Sequence, residues 1–204
     1  MKRTLIAGAV AALISLPALA AQVPAGTKLL PSAQQTFVRN IGTEPASIDP
    51  QMVEESAGSD IVNDLFEGLY TLDGDGKLQA AGALGYELDD SGTVYTFKLR
   101  PDAKWSNGEP VTAADYVYGW QRAADPKNAS NYAWFIELTG VTNASDVVQG
   151  KKSPDALGIK ALDTHTLQIT LNNPVPFFLK TLSHYTTFPA PKATIEKFGH
   201  EWVK

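Results

Sequence analysis

The chain has 204 residues, 44% of them hydrophobic and 9% aromatic, enough to bury a substantial core. With 17 basic and 22 acidic side chains its net charge is −5, which argues against nucleic acid or anionic lipid as a partner. It has no cysteine, which excludes a disulfide framework, a thiol nucleophile and thiolate metal ligation.

Residues 1–20 read as an export signal. Lys2 and Arg3 precede an apolar run over 5–16, and Pro17 leads to Ala18-Leu19-Ala20, small residues of the kind a signal peptidase accepts. The run is shorter than the roughly 20 residues of a membrane span. Without a cysteine to carry lipid, the expectation is a soluble periplasmic protein that begins at Ala21. Its 15 basic and 22 acidic residues then give −7.

Residues 21–35, with Pro24, Gly26 and Pro31, suit an extended arm, followed by a short strand over Phe37–Asn40 and a turn-rich stretch to Pro50. A helix is predicted from Ser59, with Ile61, Val62, Leu65 and Phe66 on one face and Gly68 beyond its end. Leu69 to Leu72 reads as a strand and Asp73-Gly74-Asp75-Gly76 as a turn. From Thr93 to Leu99 apolar and polar residues alternate, Tyr95, Phe97 and Leu99 sharing the buried face of a strand. Asn107-Gly108 lets the chain reverse behind Trp105. Thr112 lies three residues before Asp115, a capping-box spacing, so a helix should start near Ala113. Tyr116, Val117, Trp120 and Ala124 form its apolar stripe, and Asp125-Pro126 closes it. That stripe marks Tyr116, Tyr118 and Trp120 as packing aromatics. Residues 132–141 are mixed, residues 146–149 suit one helical turn, Thr166 to Leu171 alternates as a strand, and a short helix is expected over Phe177–Ser183. Glu196 to Lys204 reads as a helix or its exit. Strands and helices interleave without a strict βαβ rhythm, so the fold class is mixed α and β (α+β).

Enzymatic and cofactor motifs do not assemble. There is no G-x-S-x-G elbow, Gly150-Lys151-Lys152-Ser153 lacks the glycines of a phosphate loop, and Gly74-Asp75-Gly76 lacks the third glycine of a dinucleotide turn. The turn at 73–76 lacks the spacing and closing glutamate of a calcium loop. His165, His184 and His200 are too scattered for a local zinc motif. No catalytic residue, cofactor or metal is therefore assigned.

The run from Phe97 through Leu99-Arg100, Trp105-Ser106-Asn107-Gly108, Pro110, Thr112-Ala113 and Asp115 closely resembles the signature of the periplasmic peptide-binding proteins of ABC importers. Its continuation, Val117 to Arg122 and then Ala124-Asp125-Pro126, resembles the oligopeptide-binding branch, and so do Ile48-Asp49-Pro50, Asp64 to Leu69 and Pro189 to Gly199.

The resemblance implies a two-lobed periplasmic binding protein of type II with an extra accessory domain, and proteins longer than this chain. Residues 21–66 would be the N-terminal part of lobe I, 67–191 the accessory domain and 192–204 a truncated return to lobe I. The implied function is capture of short oligopeptides and their delivery to an inner-membrane ABC permease, by a monomer that breaks no bond. Murein-peptide or dipeptide receptors are the alternatives within the family; a peptide hydrolase or a chaperone-like binder are alternatives outside it. A receptor for varied peptides must hold what all peptides share, the main chain and the charged ends. By resemblance, Glu54, Glu55 and Ser56 line the peptide, Glu54 also pairing with basic groups of the closing lobe. Tyr132 matches a ligand-contacting tyrosine, and His184 a histidine that meets a peptide carboxylate, with an imidazole near its ordinary pKa. On residue type alone, Glu54 and Glu55 are solvated acids, Tyr132 a core aromatic and His184 a helix-end cap.

Overall fold

The computed structural model describes Lys28, Pro31, residues 34–36 and residues 38–203. Residues 1–40 and 41–204 form separate compact units. In the first, the Gln34 N–H donates to the Pro31 carbonyl at 2.7 Å, and 38–40 is irregular where a strand was expected. Val38 is exposed, so no buried face holds a strand there. Phe37 and the export signal lie outside the described residues.

The second unit begins with turns that lead into helix α1, Ser56–Leu65. It starts three residues earlier than predicted, because the Glu55 carbonyl already accepts from the Ser59 N–H at 3.0 Å. Val62 is fully buried whereas Leu65 is 62% exposed, so the inward face is narrower than the apolar spacing suggested. Strands β1 (Tyr70–Leu72) and β2 (Leu78–Ala80) pair as a hairpin, and Asp73 holds its turn by accepting from the Asp75 and Lys77 N–H groups.

The main sheet contains β3 (Ala83–Leu88), β4 (Val94–Leu99), β5 (Ile159–Asp163) and β6 (Thr166–Thr170) in the order β3-β4-β6-β5, antiparallel throughout. Phe97 pairs with Leu167 and Tyr95 with Ile169, so the alternation of both strands points into one core. Strands β3 and β5 form the edges, each interrupted by a register shift.

Helix α2, Ala113–Ala124, packs Tyr116 and Trp120 into that core, and the expected cap is in place. The Thr112 N–H and hydroxyl donate to Asp115 Oδ2 at 2.7 and 2.9 Å. The predicted reversal before it also forms: Asn107 Oδ1 accepts from the Glu109 N–H, and Gly108 has φ +88. After α2 come α3 (Ala133–Leu138), α4 (Ala144–Val148), α5 (Phe178–Thr181) and α6 (Lys192–Phe198). Beyond α6, residues 199–203 continue as a 3₁₀ turn. Among the described residues no helix is long and apolar enough to cross a membrane.

A smaller apolar cluster lies apart from the sheet core. It joins Val53 and Val62 to Tyr185 and Phe188, with Ile48 and Phe66 packed against it. Helix α2 touches this part closely at Gly119, where a Cβ would come within 2.3 Å of the Phe188 carbonyl oxygen. Beside it, the Trp120 indole donates to the Thr187 carbonyl at 2.9 Å.

Candidate functional site

Three segments distant in sequence meet at the small cluster: residues 49–56, residues 130–135 and residues 184–188. Each has a local reason for its shape. In the first, Met52 and Val53 N–H groups donate to the Asp49 carbonyl, a turn that buries Val53 and sends Glu54 outward. In the second, the Phe135 N–H donates to the Tyr132 carbonyl and opens α3, leaving Tyr132 half-buried and Trp134 exposed. In the third, residues 185–187 form a 3₁₀ turn capped by His184, whose Nδ1 accepts from the Thr186 N–H at 3.3 Å.

The sequence-based site residues divide into two groups. Glu54, Tyr132 and His184 come together. Glu54 Oε2 accepts from the side-chain amide of Asn131, and the next residue, Tyr132, has its ring centroid 5.4 Å from that of His184. Glu55 and Ser56 are occupied locally. The Glu55 carboxylate folds back to accept from the Ala46 N–H at 3.1 Å and lies over Gly58, where a Cβ would stand 2.6 Å from Oε1. Ser56 is the first residue of α1, and its carbonyl accepts from the Ser59 hydroxyl at 3.0 Å.

His184 differs electrically from the expectation. Its ring stacks on Phe135 at 4.1 Å and lies 4.2 Å from Tyr185, and this burial pulls its pKa down from 6.5 to about 4. At neutral pH the imidazole is uncharged, so it offers a flat face rather than partial positive charge. The Tyr185 hydroxyl is pushed up from its ordinary value, first by burial, then by hydrogen bonding to Tyr132 and the nearby charges of Glu55 and Glu54. The result is a shelf of rings, Tyr132, Trp134, His184 and Tyr185, bordered by one outward carboxylate and one amide. It can stack, accept and donate. His184 Nδ1 is already taken by a main-chain N–H, so the shelf suits holding a ligand better than proton transfer.

Sequence reasoning missed the residues beneath this shelf. Asp49 and Arg122, both buried, form a two-toothed ion pair with N···O distances of 2.7 and 2.6 Å. Asp49 Oδ2 also accepts from the Trp202 indole at 2.9 Å. Gln51 and Ser130 complete the polar seam. The one available signal was Asp49-Pro50 as a turn; Arg122 and Trp202, which its carboxylate meets, lie more than seventy positions away and share no local pattern with it.

A cavity of about 1030 Å³ lies elsewhere. Phe66, Glu67, Arg100, Trp105 and Trp202 line it, and it includes none of the candidate residues. The candidate residues reach the surface, with Glu54 and Trp134 exposed. Among the described residues, no group of three or more His, Cys, Asp or Glu side chains could hold a metal ion.

Comparison with known proteins identifies the family. Residues 77–203 match the model of the middle region of bacterial extracellular solute-binding proteins, family 5. The periplasmic oligopeptide-binding protein OppA of Escherichia coli is 48% identical over 205 residues, which cover 100% of this chain and 37% of the relative. The periplasmic murein peptide-binding protein MppA of the same organism is 43% identical over 185 residues, covering 91% of this chain and 34% of the relative. Among solved structures, Haemophilus influenzae OppA in complex with the peptide RPPGFSPFR superposes with a TM-score of 0.78 at 43% identity, over 81% of this chain and 32% of that one. The chain thus spans just over a third of the length of these curated relatives. It belongs to family 5 of the bacterial extracellular solute-binding proteins.

Proposed function

We propose that this chain supplies one wall of the peptide site of a periplasmic oligopeptide receptor that hands short peptides to an inner-membrane ABC importer. The observation that carries the reading is the meeting of Glu54 with Asn131, Tyr132 and His184 on a partly exposed ring shelf, in a chain 48% identical to an oligopeptide-binding protein. Peptide backbone and side chains lie against the shelf, Tyr132 provides the stacking face, and Glu54 meets a cation of the peptide or of the opposing lobe. In the whole receptor two lobes close over the ligand, a population shift driven by contacts present only when closed. The chemistry is binding alone, with no bond broken. Residues 21–66 and 192–204 belong to one lobe and 67–191 to the accessory domain. Residues 1–20 direct export to the periplasm, where the protein acts as a monomer.

The neutral His184 favours one refinement: it contributes ring surface to the wall, and the peptide carboxylate is met by cations outside this chain. The 43% identity to MppA favours a murein peptide as the second reading.

The test joins this chain to the remaining portion of the Escherichia coli relative and titrates the chimera calorimetrically with peptides of two to five residues and with a murein tripeptide. Saturable one-to-one heat is expected, and Tyr132→Ala should weaken it about tenfold, the equivalent of ~1.4 kcal/mol of lost ring contact. A folded chimera that gives no heat with any of these peptides, when the intact relative does, contradicts the reading. Turnover of a tetrapeptide into cleavage products would instead identify a hydrolase.

A further inference from the structure

Gln51 is 1% exposed, and all four of its polar groups are engaged across the seam. Its main-chain N–H donates to Asp49 Oδ1 at 3.1 Å, and its main-chain carbonyl accepts from the Ser130 hydroxyl at 2.6 Å. Its side chain reaches in two directions: Oε1 accepts from Arg122 Nη1 at 3.0 Å, and Nε2 donates to the Phe188 carbonyl at 3.1 Å. Ser130 Oγ in turn accepts from the Tyr132 N–H at 3.3 Å. The three segments that carry Glu54, Tyr132 and His184 therefore share a single buried tie.

We propose that Gln51 is a positioning residue for the candidate binding wall: its amide sets the spacing between the Glu54 turn, the Tyr132 segment and the His184 turn. This rests on the peptide-wall reading for its functional meaning, though not for its geometry. The chemistry calls for an amide. A cationic donor lies on one side and a carbonyl acceptor on the other, so the side chain must accept and donate at once without carrying charge. A carboxylate keeps the Arg122 contact but sets an oxygen against the Phe188 carbonyl. A thioether fills the space and leaves the carbonyl unpaired. Either change loosens the 184–188 turn relative to the other two segments.

His184 reports that loosening directly, because packing against Phe135, Tyr132 and Tyr185 is what keeps its ring from protonating; the acids nearest this cluster are Glu54 and Glu55. The experiment follows the His184 ring protons by NMR between pH 3 and 8, a window of about five units around the ordinary histidine value. It compares the wild-type chain with Gln51→Glu, Gln51→Met and a control, Leu167→Ala, which weakens the sheet core at a distance from the seam. The wild type should titrate at about 4. Both Gln51 variants should titrate at least about one unit higher, toward the free value, while Leu167→Ala stays with the wild type. An unchanged His184 titration in the Gln51 variants, or an equal rise in Leu167→Ala, overturns the proposal. Either Gln51 variant that folds is sufficient to decide it. Tetra-alanine added to the same variants carried in the chimera with the remaining portion of the Escherichia coli relative separates the two ideas. If the wild type shows no peptide response at Tyr132, the peptide reading fails while the titration still decides the role of Gln51. If the wild type responds and the Gln51 variants respond about tenfold more weakly, both stand.

Discussion

Beneath the four-stranded sheet, Tyr95, Phe97, Leu167 and Ile169 alternate with polar neighbours and pack against Trp120 and Tyr116 of α2. Around Gln51, by contrast, a small apolar cluster is bound to α2 and the 184–188 turn by a buried ion pair and side-chain hydrogen bonds to main chain. The first region is stabilised by area removed from water, which is non-directional and tolerant of shape-conserving change. The second depends on pairing, and each partner left alone in it is a buried polar group without compensation. The candidate binding residues sit on the second. On the proposed reading, the rings and carboxylate of the wall are held by this polar seam and not by the apolar core.

Variants probe this contrast in descending order of effect. Phe97→Ala opens a cavity where no neighbour can collapse and should lower unfolding stability by about 3–5 kcal/mol. Arg122→Ala leaves Asp49 buried and unpaired and should lose a similar ~3–5 kcal/mol. The two regions differ in what restores them: Arg122→Met combined with Asp49→Leu should recover at least half of that loss in urea denaturation, since an apolar pair replaces an ionic one. A double variant as unstable as Arg122→Ala would mean that the loss does not come from the stranded Asp49 charge. Asp115→Ala removes the acceptor that caps α2 and should lower stability by about 1 kcal/mol.

A further effect is read as pH dependence and not as a single loss of stability. His184 titrates at about 4 when folded and near 6.5 when unfolded, so the folded chain resists its protonation. Its contribution is complete above pH 6.5 and is lost as the pH falls toward 4. His184→Gln should flatten stability across that interval. Asp73, Asp89, Asp146 and Asp163 are held below their ordinary 3.8 by hydrogen bonds. Their contribution is therefore lost only below that value, and His184→Gln should leave it unchanged.

The elements predicted from sequence are those whose physics is local. Strands β4 and β6 show their buried face as alternation, the Thr112–Asp115 cap is a three-residue relation, and the turns at 73–76 and 107–108 are set by their own side chains. Strand β5 was missed because four of its five residues are exposed at the sheet edge. Strand β3 was missed because a register shift between Ala83 and Gly85 breaks its period. At the site, resemblance pointed to Glu54, Tyr132 and His184, which do converge. The residues that hold them, Asp49, Gln51, Arg122 and Ser130, are joined over separations of 71 to 137 positions counting the Phe188 contact, beyond any spacing argument. The local use of the Glu55 carboxylate, which accepts from the Ala46 and Glu54 main-chain N–H groups, has no sequence signal either.

A peptide-shift map of the chimera, with this chain's residues isotopically labelled, tests the wall most directly. With tetra-alanine at millimolar concentration, saturable amide shift changes should gather at Glu54, Asn131, Tyr132, His184 and Tyr185 and leave β4 and β6 unmoved. Changes confined to the cavity lined by Arg100, Trp105 and Trp202, or no saturable change at all, would contradict it.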